Sequence, residues 1–221
     1  MKNFWKFVKT SGIYFVGTVL QKLITFFLLP IYTAYISPKD MGTYDAAIAY
    51  ITFLCSVLFL DIWSGIMRFT FEYEGDERKK PINSGLAIFG CSAVLYTIIM
   101  VAAGCIFHIK YLPFMYFYGL LMNMQNLMGY LARTYQKNTL YTASGLISSF
   151  TTVIFNILFI VLLKMDYSAL FISGCMGYLL NICILGYGIR FPRLISYKDF
   201  QPLLFKRLFL FSVPLCMNSV A

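Results

Sequence analysis

Charge is scarce in this sequence. Charged residues make up 12% of the chain, with nine acidic residues and a single histidine, His108. An average soluble domain is about one quarter charged. So few charges cannot form a solvated surface, which excludes an ordinary soluble domain and indicates that lipid surrounds most of the chain. The net charge of +9 is not interpreted as nucleic-acid binding, because the basic residues lie between apolar runs and are better explained as topology signals.

Motifs for metal binding, disulfide bonding and catalysis are also missing. The six cysteines all lie inside apolar runs, and no Cys-x-x-Cys pair occurs. Cysteine within an apolar run usually serves as a small hydrophobic residue of a membrane helix. The sequence has no hydrolase triad, no phosphate-binding glycine loop and no cluster with metal-ligand spacing. We therefore expect a protein that is not an enzyme and that needs no metal and no cofactor.

What the chain has in abundance is apolar runs. Hydrophobic residues reach 60%, and the mean hydropathy is +0.74. We predict an all-α polytopic membrane protein whose residues 1–189 form a six-helix transmembrane lobe. Residues 190–207 would form a connecting loop and residues 208–221 the start of a seventh helix. Fourteen helical residues rise only about 21 Å, short of a hydrocarbon core of about 30 Å, so we expect this chain to be a fragment. The six predicted spans are 11–36, 42–68, 82–107, 112–132, 140–163 and 167–189.

The basic residues predict the orientation of these spans. Fourteen lysines and arginines fall on the side that holds the N-terminus and the segments 69–81, 133–139 and 190–207, whereas three fall on the other side. Cytoplasmic loops carry the excess of lysine and arginine in membrane proteins. The N-terminus and these three segments are therefore predicted to be cytoplasmic.

The first span contains two unusual residues. Lys22 lies about 16 Å along the helix from Ser11, near the middle of the membrane, where a cation is costly and usually faces a protein interior or a watery path. Lys22 could snorkel to the membrane surface or pair with an acidic residue outside this chain. We favour a third interpretation, in which Lys22 binds an anionic ligand in a central cavity. Pro30 removes a backbone donor and predicts a kink.

Acidic residues of the second span do not match the depth of Lys22. Asp45 lies about 5 Å from the start of that span, and Asp61 lies about 28 Å along it. Both are candidates for gating or ion coupling, because carboxylates at membrane depth are costly and are often functional. Arg68 is the third candidate for gating or ion coupling; it shares a helical face with Asp61, but about 10 Å of helical rise between the two argues against a direct pair.

Amides and hydroxyls add a second group of candidates. Asn123 and Asn126 share a face of the fourth span, and both could line a site for a sugar-like ligand or hydrogen-bond between helices. The fifth span carries a stripe of small and polar residues that ends at Asn156, for which close helix packing is the favoured explanation. Tyrosines near span ends fit aromatic belts at the membrane surface. The stripe is Gly145, Ser149, Thr152 and Asn156, and the belt tyrosines include Tyr32, Tyr35, Tyr111, Tyr116, Tyr118, Tyr130, Tyr135 and Tyr167.

Three stretches carry a resemblance to a known family. GTVLQKLITFFLLPIYTAYISPKDMGTYD resembles the first span and following turn of polysaccharide flippases. LDIWSGIMRFTFEY resembles the end of their second span, and FSVPL with the following Asn-Ser resembles the start of their seventh. On these motifs the chain is similar to the Wzx-like O-antigen and teichoic acid exporters of the multidrug/oligosaccharidyl-lipid/polysaccharide exporter superfamily.

The resemblance implies a two-lobe, MATE-like transporter of the bacterial inner membrane, of which this chain would supply the N-terminal lobe. It implies export of an undecaprenyl-pyrophosphate-linked oligosaccharide by alternating access, with Lys22 holding the pyrophosphate and Asn123, Asn126 and Asn156 facing the sugar. The implied partners are that lipid-linked substrate, membrane lipids and glycosyltransferases or a polymerase of the same pathway. Lipid II flippases carry more arginines in the first span than this chain does, which favours the broader polysaccharide group.

Three alternatives remain open on sequence. A small-molecule antiporter of the same superfamily would favour a cavity rich in acids. A membrane glycan polymerase or acyltransferase would need large non-cytoplasmic loops, and the loops near Lys39, Lys110 and Lys164 are short. The third alternative is an inactive fragment.

Overall fold

Helices follow one another through the described chain, because backbone groups surrounded by lipid must hydrogen-bond within their own segment. The structure is a computed structural model that describes residues 12, 19, 22, 23, 26 and 28–220, with only the backbone described for 217–220. No strand occurs among these residues. The helices are α1 (28–35 as its continuous described part), α2 (Pro38–Phe59), α3 (Ile62–Thr70), α4 (Lys79–Phe107), α5 (Leu112–Thr134), α6 (Asn138–Asn156), α7 (Ser168–Ile189) and α8 (Pro202–Val220).

The all-helical prediction is confirmed for the described residues. Four helical segments are long and apolar enough to cross a membrane, namely Pro38–Phe59, Gly75–Phe107, Asn138–Leu162 and Ser168–Ile189. The third of these segments consists of α6 and the π-helical turn that follows it, Ile157–Leu162. The predicted span 112–132 forms a helix, α5, but it is not among those four. The count of six spans, and their assembly as one MATE-like lobe, therefore remain predictions.

The predicted second span, 42–68, is not one helix. Leu60 and Asp61 both adopt left-handed backbone conformations, with φ of 54° and 49°, and they separate α2 from α3. Aspartate tolerates this conformation better than most residues. The Asp61 carboxylate accepts a hydrogen bond from the Ser64 hydroxyl at 2.7 Å, which stabilises the start of α3. The periodicity of the apolar residues gave no sign of this break.

The last helix begins earlier than predicted. α8 starts at Pro202 rather than near Leu208, since proline suits the first turn of a helix, where its missing donor is not needed. The segment before it packs against the start of α4. Asn83 donates to the carbonyl of Leu194 at 2.9 Å and accepts from the Ser196 amide at 2.8 Å. Residues 190–201 are thus fixed to the helical bundle by hydrogen bonds.

Helices α6 and α7 approach each other closely at Gly177. The Ser148 hydroxyl donates to the Gly177 carbonyl at 2.8 Å, across the two helices. A Cβ at Gly177 would overlap the Thr152 hydroxyl and lie 3.1 Å from the backbone oxygen of Ser148. Small residues at such crossings allow helices to pack closely inside a membrane.

Gly177→Ala is expected to destabilise the protein by about 1–3 kcal/mol, because overpacking forces the two helices apart. Gly186→Ala, on the same helix, is the matched control, since a Cβ there would meet nothing within 4 Å. Thermal unfolding of both variants in detergent micelles measures the difference. Equal unfolding temperatures would contradict the close approach at Gly177.

Candidate functional site

A cavity of about 580 Å³ lies among five helices, α1, α2, α5, α6 and α7. Apolar residues such as Leu28 and Leu170 share its wall with many polar side chains. Such a polar space enclosed by apolar helices is the default candidate for a binding site. The polar side chains that line it are Tyr32, Tyr44, Asp45, Tyr118, Gln125, Ser148, Ser149, Thr152, Asn156 and Tyr178. We call this space the central cavity.

Asn156 connects three helices at the wall of the central cavity. Its side-chain nitrogen donates to the Tyr32 hydroxyl of α1 at 2.9 Å, and its oxygen accepts from the Ser173 hydroxyl of α7. The side chain is 2% exposed, so both bonds replace contacts with water. Asn156 is also the last residue before the π-helical turn, a feature found often at functional sites. Asn156 thus lines the central cavity, and its predicted contact with the sugar stays a prediction.

Tyrosines form the opposite part of the wall. The Tyr178 hydroxyl donates to the Tyr118 hydroxyl at 3.1 Å, and Tyr44 lines the same part of the cavity. Gly174 makes room for this group, since a Cβ there would lie 2.5 Å from the Tyr118 ring. Aromatic rings with hydroxyls offer both an apolar face and hydrogen bonds to a ligand.

Two of these tyrosines were expected elsewhere. Tyr32 and Tyr118 were assigned to an aromatic belt at the membrane surface, but both line the central cavity. Their positions near the ends of predicted spans did not indicate the direction in which their side chains point. Tyr178 was not singled out, although its position eleven residues into α7 is too deep for a belt and is the signal that could have found it.

The small-residue stripe of α6 faces the cavity. Gly145, Ser149, Thr152 and Asn156 all line it, whereas the adjoining Ser148 makes the hydrogen bond to α7. Ser149 and Thr152 donate to carbonyls of their own helix, at 3.0 and 3.1 Å. The favoured explanation by packing alone was therefore incomplete: Thr152 packs near Gly177, but the stripe also forms a wall of the site.

Asp45 is the acidic residue of the central cavity. Its side chain is exposed toward this space and forms no ion pair with a described basic residue. No lysine, arginine or histidine is among the described residues that line the cavity. The described wall therefore offers one carboxylate and many neutral oxygens, which suit a cation, a proton or hydroxyl-bearing groups.

Lys22 lies outside this wall. It is helical and exposed, and it is not among the described residues that line the central cavity. It precedes Leu28, the first described α1 residue at the cavity, by six residues. Pro30 is inside the described helical part of α1, but the turn before it includes residue 27, which lies outside the described residues. The kink at Pro30 thus stays a prediction.

The two asparagines of α5 are not cavity residues. Asn123 is 1% exposed and donates to the Gly119 carbonyl of its own helix at 2.7 Å. The Cys55 thiol of α2 donates to the same Gly119 carbonyl, at 3.9 Å. Asn126 is half-buried and does not line the cavity either, whereas Gln125 between them does. The structure thus brings Asn156 and Asp45 to one site and leaves Asn123 and Asn126 outside it.

Asp61 and Arg68 are also separate from the cavity and from each other. Asp61 marks the break between α2 and α3, and Arg68 lies over the Phe211 ring of α8 at 4.6 Å. Between them Gly65 meets α8, where a Cβ would lie 3.0 Å from the Ser212 hydroxyl. Their described contacts are those of a helix junction.

Comparison with protein families shows which family the chain belongs to. The model of a family described as polysaccharide biosynthesis protein matches residues 7–221. The chain belongs to this family. It is the family of the Wzx-like flippases, whose members are mainly transporters rather than enzymes. Comparison with curated proteins and with solved structures found no match.

Family membership and the apolar helices together identify a multi-pass membrane protein of polysaccharide biosynthesis and export. Within the described residues, no group of three or more histidines, cysteines or acids is placed to hold a metal ion. The site of this family member is accordingly described by its hydroxyls, amides and one carboxylate.

At one end of the bundle, two helix connections are joined by a polar cluster. Asp166 accepts from the Tyr111 hydroxyl at 2.5 Å, from the Lys110 ammonium at 3.2 Å and from the Ser168 amide at 3.1 Å. Partial burial raises the pKa of Asp166, but these hydrogen bonds outweigh burial and lower it from 3.8 to about 2. The same bonds, from Tyr111 and then Asp166, raise the pKa of Lys110 above its usual range.

A depressed carboxyl pKa predicts stability that is present above the unfolded value of 3.8 and is lost as the pH falls toward about 2. Asp166→Asn should lower the free energy of unfolding by about 1 kcal/mol at pH 7 and flatten its pH dependence between those two values. The control is Asp76→Asn, because that carboxylate is 96% exposed and pairs only along its own turn with Lys79. The measurement is the free energy of unfolding in detergent across this pH range. If its pH dependence in Asp166→Asn were the same as in the unsubstituted protein, the role of the cluster would be refuted.

Proposed function

We propose that this protein exports lipid-linked oligosaccharides by alternating access, flipping them from the inner to the outer leaflet of a bacterial inner membrane. The observation that carries the proposal is the central cavity, a polar space among apolar helices in a member of the polysaccharide biosynthesis family. The proposed topology places the N-terminus in the cytoplasm, as the distribution of lysine and arginine predicts.

The chemistry of the cavity wall suits a sugar. Sugars present hydroxyls that donate and accept hydrogen bonds, and amides and hydroxyls such as those of Gln125, Ser149 and Asn156 can do both. The rings of Tyr44, Tyr118 and Tyr178 add flat apolar faces for the carbon faces of the sugar. The neutral character of most of the wall would let the sugar leave as well as enter.

We propose different roles for the charged residues. Lys22, which is exposed beyond the described wall, is proposed to hold the pyrophosphate of the lipid carrier while the sugar occupies the cavity. Asp45 is proposed to couple transport to a proton or a cation. Asp61 and Arg68 are proposed to act in gating, because they lie at the junction of α2, α3 and α8.

Alternating access also needs a second half that moves against this one. We propose that α1 to α7 form one lobe of six spans, with α2 and α3 as two parts of one span, that residues after α7 lead into a second lobe, and that the two lobes rock around the substrate. The proposed partners are glycosyltransferases or a polymerase of the same pathway.

Asn156→Ala tests the cavity. The substitution removes the hydrogen bonds that join Asn156 to the Tyr32 and Ser173 hydroxyls, which costs about 1–3 kcal/mol and reshapes the wall, although Ser173 keeps its bond to the Leu170 carbonyl. We expect glycan export by a complemented flippase-null strain to fall at least about tenfold, equivalent to about 1.4 kcal/mol. Asn123→Ala is the matched control, as Asn123 is equally buried but outside the cavity, and its export should stay within about twofold at equal membrane abundance. Equal loss in both variants would point to folding and would count against the site.

Lys22→Gln tests the anion-binding role. Loss of the cation should abolish complementation without loss of membrane insertion, whereas Lys22→Arg should retain much of it because the charge is kept. Full complementation by Lys22→Gln would remove Lys22 from the mechanism while leaving the cavity in place.

One observation favours a second function. Asp45 is the charged residue of the described cavity wall, and a lone carboxylate is what an antiporter for cationic small molecules would present. Accumulation of cationic drugs, measured beside glycan export in the same strains, separates the two. The antiporter would be favoured if replacing Asp45 abolished drug extrusion but left glycan export normal.

A further inference from the structure

A second large space lies at the end of the bundle opposite the Asp166 cluster. It has a volume of about 1010 Å³ and lies between the ends of α5 and α7. Met124, Met128, Ile182 and Cys183 form its inner part. We call this space the basic groove, because its outer part carries Lys137, Arg190 and Arg193.

The three cations of the basic groove have no acidic partner among the described residues. Lys137 donates to the backbone carbonyl of Gly188, and all three side chains are exposed. Arg190 ends α7 in a left-handed conformation, with φ of 56°, which turns the chain so that Arg193 lies at the same groove. A helix C-terminus favours cations, but that effect does not explain why three of them surround one opening.

The groove changes from charged to apolar along its depth. Ile182 lies eight residues before Arg190 on α7, which corresponds to about 12 Å of helical rise. On α5, Met124 lies ten residues before the end of the helix at Thr134, or about 15 Å. Tyr187 stands between the two parts and is 89% exposed, as an aromatic residue at a membrane surface is. The charged opening and the apolar interior thus lie at different depths.

We propose that the basic groove binds an anionic phospholipid, with its phosphate among Arg190, Arg193 and Lys137 and an acyl chain along Met124, Ile182 and Cys183. Charge complementarity selects the headgroup, because basic pockets between membrane helices attract anionic lipids. The apolar interior selects a lipid over a free phosphate ion, which would use only the opening. The site is separate from the central cavity, since the two spaces share no lining residue.

The experiment uses the chain in nanodiscs of phosphatidylethanolamine with a trace of photoactivatable lipid. Phosphatidylglycerol with a diazirine on its acyl chain should label peptides that carry Met124, Ile182 or Cys183, and the matching phosphatidylcholine probe should label them much less. Each cation near a lipid headgroup contributes about fivefold in affinity, so Arg190→Gln/Arg193→Gln should reduce the apparent affinity about 25-fold.

Two controls separate charge from fold. Lys198→Gln/Lys206→Gln removes the same charge from exposed residues outside the groove and should leave labelling unchanged. Arg190→Lys/Arg193→Lys keeps the charge and should retain most of the labelling. Cys183→Trp fills the apolar part and should also reduce labelling, whereas Cys91→Trp, at another exposed cysteine, should not.

Three results would overturn the proposal. Equal labelling by the two probes would mean that the groove does not recognise an anionic headgroup. Loss of labelling in millimolar inorganic phosphate would identify a free-phosphate site. Absence of labelling from the groove peptides in the wild-type chain would mean that something other than lipid covers it.

Discussion

The constraint on which this structure depends is that polar groups surrounded by lipid must find partners inside the protein. Backbone groups meet it by forming helices. Side chains such as Ser149 and Thr152 meet it by bonding to carbonyls of their own helix. Asn156 has two polar ends to satisfy, and it does so by joining α6 to α1 and α7. Other polar side chains, such as those of Asp45 and Gln125, line the central cavity, where a ligand or water can complete their hydrogen bonds.

Helix α6 serves packing and binding at once, because the residues that line the cavity lie beside, and partly coincide with, those that contact α7. On α6, Ser148 bonds to the backbone of α7 at Gly177, where small residues let the helices approach. One residue further on, Ser149 faces the cavity.

Electrostatics separates the two functional spaces. The described wall of the central cavity carries one carboxylate, Asp45, among neutral polar groups, whereas the basic groove carries three cations above an apolar interior. A polar, largely neutral space suits a hydroxyl-rich ligand that must enter and leave. A cationic opening suits an anion that stays at the membrane surface.

The sequence by itself determined the all-helical membrane class, because apolar runs and scarce charge leave no other solvent or backbone geometry. Its motifs also indicated the family, and Asn156 and Asp45 could be selected as polar residues at membrane depth. Only the tertiary structure decided which polar residues meet. Tyr178 joins the cavity through its contact with Tyr118, Asn123 turns to its own backbone, and Asp61 ends a helix that the apolar pattern predicted to continue. Periodicity fixes a residue's place along a helix, but the direction of its side chain relative to other helices depends on how they pack, which no local pattern encodes.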